Sequence, residues 1–309
     1  NATFTEENPY IKRYCHFPNR LYIESLTESF RLQSFTSVAK RLGVSVTSII
    51  RWFDKLNCPH PKLPECIAID EFRGNAGGEK FQCNVADPVK HQVIDILPSR
   101  NTEDLCKHFL EYPYKERAEV KKIVMDLSTL FRSIAKTMFP EAKIVADKFH
   151  VIKVVINSLE NVRKRIQKEF HATKRKWFKR SRYLLLKPEY KLTSEDKIEL
   201  ARMLNSSYDL EKAYVLKERF YEVFRKQTRT EAKKELGNWL LLAADLSLPE
   251  FRHCIMTFSN WKTEIANIIG ERVSNGFIEG SNNKIKVLKR ISYGVRNFDR
   301  FRNRILYLE

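Results

Sequence analysis

Apolar positions along this chain repeat first with a helical period, then with a strand period, then with a helical period again. Residues 21–57 read as helices, and "TSVAKRLGVSVTSIIRWFDKL" carries helix-turn-helix spacing. Ala39 is small where two helices would cross, and Gly43 falls four residues later, where the turn needs a permissive backbone. Ile49 and Trp52 would pack the second helix back on the first, and Ser45 is placed to cap it. Such a pair commonly lays its second helix in the DNA major groove, which makes Ser45, Thr47, Ser48 and Arg51 candidate contacts. The alternative is a plain helical hairpin. "NCPHPKLPE" (57–65), with three prolines, reads as a linker.

The texture then changes. "CIAID" (66–70) is a short apolar strand ending in an acid, and "KFQCNVADP" (80–88) and "HQVIDILP" (91–98) are two more, separated by a turn at Asp87-Pro88. "NTEDLCKHFLEY" (101–112) is a helix with Asn101 or Thr102 as cap and an apolar face at Leu105, Phe109 and Tyr112. "KKIVMDLS" (121–128) is a buried strand ending in an acid, "TLFRSIAKTMF" (129–139) a helix, and "AKIVAD" (142–147) another strand with a terminal acid. "KFHVIKVVINSLENVRKRI" continues into a helix. Strands joined by short turns should be antiparallel, and the later helical crossovers demand parallel neighbours. A mixed five-stranded sheet built in this order is the ribonuclease H-like α/β plan.

From about 150 to 273 nothing resembles a strand, and helical periodicity continues through "SEDKIELARMLN", "DLEKAYVLKERFYEVFRK" and "TEAKKELGNWLLLAADL". The expected organisation is a helix-turn-helix region over 1–57, a linker over 58–65, the first part of the core over 66–155, an all-helical insertion over 156–270, and C-terminal helices over 271–309 that complete the core.

Composition narrows the class. At 309 residues and 43% hydrophobic, the chain can bury a core. Its net charge of +18 favours a polyanion, nucleic acid first and an anionic membrane surface second. No apolar run reaches the roughly 18 residues of a membrane span, and no secretory leader is visible. The chain begins at Asn1 rather than Met, so its start is expected to be missing or trimmed. Six cysteines include no C-x-x-C pair, and Cys66 and Cys83 sit in apolar runs as buried thiols would. Residues 160–191 hold twelve Lys or Arg against three Glu, with Phe170, Trp177, Phe178, Tyr183 and Tyr190 interleaved.

The acids carry the candidate chemistry. Asp70 and Asp126 each close an apolar strand, and in this plan the two strands lie side by side. Two carboxylates a few ångströms apart repel unless a cation sits between them, and oxygen ligands suit Mg²⁺ or Mn²⁺. A third acid from a helix would allow two metals, one activating a water or 3′-hydroxyl and the other stabilising the leaving oxygen of a phosphodiester. Glu279, heading the basic helix in "SNGFIEGSNNKIKVLKR", is the acid the spacing offers. Lys286 lies two turns on, on the same face, where it can hold a phosphate. Asn275, Asn282 and Asn283 can donate to backbone phosphates without adding charge, and Lys284, Lys289 and Arg290 add charge. An acid at a strand end is often only a helix cap. Glu71 and Asp95 are local alternatives, and Asp147 competes for the second position. Asp147 and His150 could instead form an orienting pair beside the metals.

"IAIDEF", "IVMDLS", "IVADKFHV" and "SNGFIEGSNNKIKVLKRISYGVRNFDRFRNRIL" resemble the DDE transposases of the ISL-three insertion-sequence family, from about residue 25 to the C-terminus. The resemblance implies Asp70, Asp126 and Glu279 as the catalytic, metal-binding triad, with Asp147 and His150 of the DKFH stretch near the site but outside it. It also implies a ribonuclease H-like core interrupted by helices. The family usually begins with a cysteine-rich zinc-binding segment, of which only "RYCHF" could remain.

The implied reaction is cleavage of DNA at element ends and transfer of the strand to target DNA with two Mg²⁺, for which Mn²⁺ could substitute. The enzyme would work in the bacterial cytoplasm at the nucleoid, as a dimer or higher assembly on DNA. Arg163, Lys164, Lys174, Arg175, Lys179 and Arg180 would track the backbone, and Trp177 would either stack on an extruded base or pack between helices. Rival readings are a catalytically silent DNA-binding regulator and a structure-specific nuclease of the same fold. Either way, affinity for duplex DNA should fall steeply with salt as counterions are released. A fluorescence-anisotropy titration showing little change between low and moderate salt would remove the electrostatic argument.

Overall fold

The computed structural model describes residues 9–11, 16–58, 60–271 and 275–308. Arg13, Tyr14 and Cys15 of "RYCHF" and Ser274 of the C-terminal motif lie outside the described residues. Helices α1 (Asn19–Ser29), α2 (Phe35–Leu42) and α3 (Val46–Phe53) come first. Then follow β1 (Cys66–Phe72), β2 (Gln82–Asp87), β3 (Gln92–Leu97), α4 (Thr102–Leu110), α5 (Tyr114–Glu119), β4 (Lys122–Met125), α6 (Thr129–Met138), β5 (Lys143–Ala146) and α7 (Lys148–Ile166). The helical stretch continues as α8 (Ala172–Arg180), α9 (Arg182–Leu186), α10 (Ser194–Leu204), α11 (Tyr208–Tyr221), α12 (Arg229–Asp245), α13 (Arg252–Asn260) and α14 (Lys262–Ala266). The last two helices are α15 (Gly276–Ile291) and α16 (Phe298–Leu306). The strands form one mixed sheet in the order β3-β2-β1-β4-β5. β1, β2 and β3 pair antiparallel, whereas β4 and β5 pair in parallel.

The chain divides into two compact units. The first takes residues up to Lys121, Ile134–Ala142, and everything from Gly276 onward. Its N-terminal helices form as the sequence anticipates. The Ser34 hydroxyl caps α2 and the Ser45 hydroxyl caps α3, accepting from the amides of Ser37 and Ser48 at 3.0 and 3.1 Å. Gly43 ends α2 in the left-handed region at φ +66°. Val38, Ala39 and Ile49 are buried between the helices, with Trp52 against them.

The C-terminal helices belong to this same unit. Phe72 and Ile96 of the sheet share a core with Ile285 and Leu288 of α15 and with Phe301 and Ile305 of α16. α16 also anchors the N-terminal helices. The buried Arg304 guanidinium donates to the carbonyls of Gln33 and Arg31 at 2.6 and 3.3 Å and lies over the Phe35 ring. Arg300 pairs with Asp54, and the Asn303 amide donates to the Leu56 carbonyl.

The second unit takes Lys122–Ser133 and Lys143–Asn275. Phe220, Trp239 and Phe258 build an aromatic core, and the Trp239 indole donates to the Leu216 carbonyl at 2.8 Å. Trp261 is buried, with Arg132 over its ring. α7 runs unbroken for 19 residues, so the boundary expected at residue 156 falls inside a helix. Hydrophobic periodicity carries no mark there, because α7 buries one face throughout, from Val151 to Ile166. Among the described cysteines, Cys66, Cys83 and Cys254 are buried.

Glu271 closes the second unit by pairing with Lys122 at 2.6 Å, Arg229 at 2.7 Å and Lys143 at 3.7 Å. Burial works to raise its pKa, but hydrogen bonding and attraction from Lys122, Lys143 and Arg229 outweigh that and hold it below the usual glutamate range. A depressed carboxyl stabilises the fold above its unfolded pKa, and the gain is lost as pH falls through the folded pKa. Urea melts taken from neutral pH down through the carboxylate range should show this loss in the wild type. Glu271→Gln should be less stable at neutral pH and lose less on acidification; equal acid dependence in the two proteins would refute the role.

Candidate active site and basic surfaces

Asp70 lies inside β1, two residues before its end at Phe72, rather than closing the strand. The strand extends further because Glu71 and Phe72 still pair with Cys83 and Gln82 of β2. One Asp70 carboxylate oxygen accepts from the Glu71 amide and the other from the Asn282 side-chain amide, both at 2.8 Å. The Asn282 carbonyl oxygen in turn accepts from the Asn84 amide at 2.9 Å, and the Ser281 hydroxyl lies 3.2 Å from the same Asn84 nitrogen. A chain of buried amides thus links the middle of β2, through α15, to the β1 acid.

This placement corrects the reading of Asn282 as a phosphate contact. It is only 4% exposed, because Ile278, Ser281, Asn282, Ile285 and Leu288 make up the buried stripe of α15. Asn275 is likewise buried at 4%. Glu279, Asn283, Lys284, Lys286 and Arg290 lie on the exposed side. Glu279 stands one turn before Asn282, and Lys286 one turn after it. Lys289 is half-buried and donates to the Arg73 carbonyl at 3.1 Å; burial, then the nearby Arg73 charge, pushes its pKa down.

In the second unit, Asp126 follows β4 directly and Asp147 follows β5. Asp147 serves as the cap of α7. Its carboxylate accepts from the His150 backbone N–H at 3.1 Å, lies 2.8 Å from His150 Nδ1, and accepts from the Asn275 backbone N–H at 3.4 Å. Asp147 is buried and committed to these donors. That arrangement orients the His150 ring.

The basic segment forms a concave surface where the end of α7 meets α8. Lys164, Arg175, Lys179 and Arg180 line it with exposed side chains. Arg163 does not reach outward as expected. It is 3% exposed, with its guanidinium spent on Glu160 at 2.8 and 3.1 Å and on Gln167 at 2.6 Å. The charge count in the sequence does not distinguish a bracing cation from a displayed one. Lys174 lies over the Phe170 ring, and Trp177 is half-buried, edge-on to Phe178. On the N-terminal helices, Ser45, Thr47 and Arg51 are exposed and Ser48 is half-buried.

A family model described as "Transposase" matches residues 67–305, and one for the helix-turn-helix domain of transposase family ISL3 matches residues 6–57. The chain belongs to the ISL3 family of transposases. Among curated proteins it is similar to the transposase for insertion sequence element IS1001 of Bordetella parapertussis. The two are 26% identical over 240 residues, 77% of this chain and 59% of the relative. It is also similar to the transposase for IS1557 of Mycobacterium tuberculosis, 25% identical over 254 residues, 75% of this chain and 57% of the relative. The chain therefore spans less than two thirds of the length of either relative.

Within this ISL3-family chain, neither Asn84 nor Asn282 stands out as an Asp70 partner from the sequence. The available signal was Asn84 itself, a polar residue amid the apolar positions of "CNVA". Hard oxygen donors of fixed direction suit a divalent cation. Asn84→Ala and Asn282→Ala should each destabilise the protein by about 1–3 kcal/mol, since each leaves a buried partner unpaired. In urea melts the double variant should fall short of the sum by about 0.5–3 kcal/mol. Strict additivity would show that the two amides do not act as one unit.

Proposed function

We propose that this chain is the catalytic part of a DNA transposase that cuts element ends and joins the freed strand to target DNA. The observation that carries the proposal is the buried Asn282 clamp on Asp70, one helical turn from Glu279 and from Lys286, in a chain of the ISL3 family. Asp70, Asp126 and Glu279 are the proposed ligands of two Mg²⁺, with Mn²⁺ able to substitute. Bound there, the ions supply polarisation of the attacking oxygen and charge stabilisation at the leaving oxygen of a phosphodiester.

The chain's own residues do the rest. Asn282 fixes the direction of the Asp70 carboxylate, and Asn84 fixes Asn282. Asp126, directly after β4, is the proposed second ligand, with Asp147 as the cap of α7 orienting His150 beside it. Lys286, with Asn283 and Lys284 beside it, offers exposed donors for a phosphate near Glu279. Lys164, Arg175, Lys179 and Arg180 supply a second basic surface for the DNA backbone, and Ser45, Thr47 and Arg51 a third on the helix-turn-helix. Among the described residues no helix is long and apolar enough to cross a membrane, and we place the reaction on DNA in the bacterial cytoplasm, by a dimer or larger assembly.

Asp70→Asn, Asp126→Asn and Glu279→Gln should each lower cleavage and joining by more than the roughly 10–100-fold typical of losing a residue that only supports a metal ligand. DNA binding should survive in all three. Asp147→Asn should keep more activity than Asp126→Asn. The measurement is Mg²⁺-dependent nicking and strand transfer on labelled element-end DNA. Intact DNA with the wild type would favour a silent regulator, cutting without joining a nuclease, and full activity in Asp70→Asn would refute the site.

A further inference from the structure

Away from the proposed catalytic acids, the first unit gathers two histidines and a glutamate. His60, from the proline-rich segment after the helix-turn-helix, meets His108 near the end of α4 and Glu111 just beyond it. One ligand atom from each lies within 4.8 Å of the others, and His60 Nε2 stands 3.1 Å from a Glu111 carboxylate oxygen. His108 and Glu111, three residues apart, present their side chains on one side of the helix end.

Two features make this more than a surface ion pair. The His108 side chain is 9% exposed, and its Nε2 is buried with no hydrogen-bond partner among the described residues. An unsatisfied buried nitrogen is costly and uncommon. The other ring nitrogen, Nδ1, lies 3.6 Å from the Asp95 carboxylate, which Arg302 holds in a two-pronged pair. A carboxylate behind Nδ1 favours the tautomer with its proton there and leaves the Nε2 lone pair for a ligand, the arrangement usual behind metal-bound histidines.

We propose that His60, His108 and Glu111 form a transition-metal site of the Zn²⁺ class, fastening the segment after the helix-turn-helix to α4. Two imidazoles and a carboxylate suit Zn²⁺, with a water in the fourth position. Four-coordinate Zn²⁺ with bonds of about 2.0–2.1 Å places its ligands about 3.4 Å apart. The half-exposed His60 and Glu111, each 49% exposed, close that gap by small side-chain movements. The segment is already steadied nearby, where the Leu63 amide donates to Glu116 at 2.6 Å and Lys62 pairs with Glu119 at 2.8 Å.

The test uses full-length, tag-free protein titrated with Zn²⁺ against a chromogenic chelator, and with Co²⁺ followed by visible absorption. The expected result is one tight equivalent per chain and a tetrahedral Co²⁺ spectrum. His60→Ala and Glu111→Gln should weaken Zn²⁺ binding by more than about 100-fold, beyond the loss typical of an outer partner, with unchanged circular dichroism. Glu279→Gln should bind as the wild type does. Absence of tight binding, binding that survives both changes, or binding abolished by Glu279→Gln would overturn the site. Strand cleavage by the wild type is a separate readout, so failure here leaves the catalytic reading standing.

Discussion

A carboxylate set in the interior pairing of a sheet must find donors, and Asp70 finds its side-chain donor 212 residues away, on α15. The Asn84–Asn282–Asp70 chain is the interaction on which the rest of the first unit turns. Its amides are buried, so each is worth most when every member is paired. To keep it, α15 must lie across β1 and β2 in one register. The apolar contacts of Ile285 and Leu288 set that register, and the amides make it specific.

The same constraint explains why the fold tolerates a long helical stretch in the middle of the chain. The first unit is discontinuous in sequence, yet α15 and α16 share a core with β1 and β3 and also hold the N-terminal helices through Arg300, Asn303 and Arg304. What comes between can have its own aromatic core, built on Phe220 and Trp239, and its own charge network around Glu271. Lengthening a connection costs only a slowly growing loop-closure entropy.

Local pattern made much of this legible. Gly43 and Ser45 announced the helix-turn-helix because a left-handed residue and a cap are short-range requirements. The strand order followed from connection lengths, and the shared exposed side of Glu279 and Lys286 on α15 followed from helical spacing. Asn282 was misread because its exposure depends on a strand 198 residues earlier, and no local periodicity records that. Arg163 failed for a related reason. A residue on a basic helix reads as displayed until the acid beside it, Glu160, proves to be buried with it. His60 passed as part of a proline-rich linker because its neighbours in space, His108 and Glu111, lie some fifty residues on.

The unbroken α7 has a geometric consequence. Its 19 residues at about 1.5 Å each make a rod of about 28 Å, with the Asp147–His150 pair at one end and the start of the basic concavity at the other. Nothing in between can hinge without breaking hydrogen bonds along a buried face. The two ends therefore keep a fixed separation and a fixed rotational phase. One inserted residue would turn the far end by about 100° and shift it by about 1.5 Å.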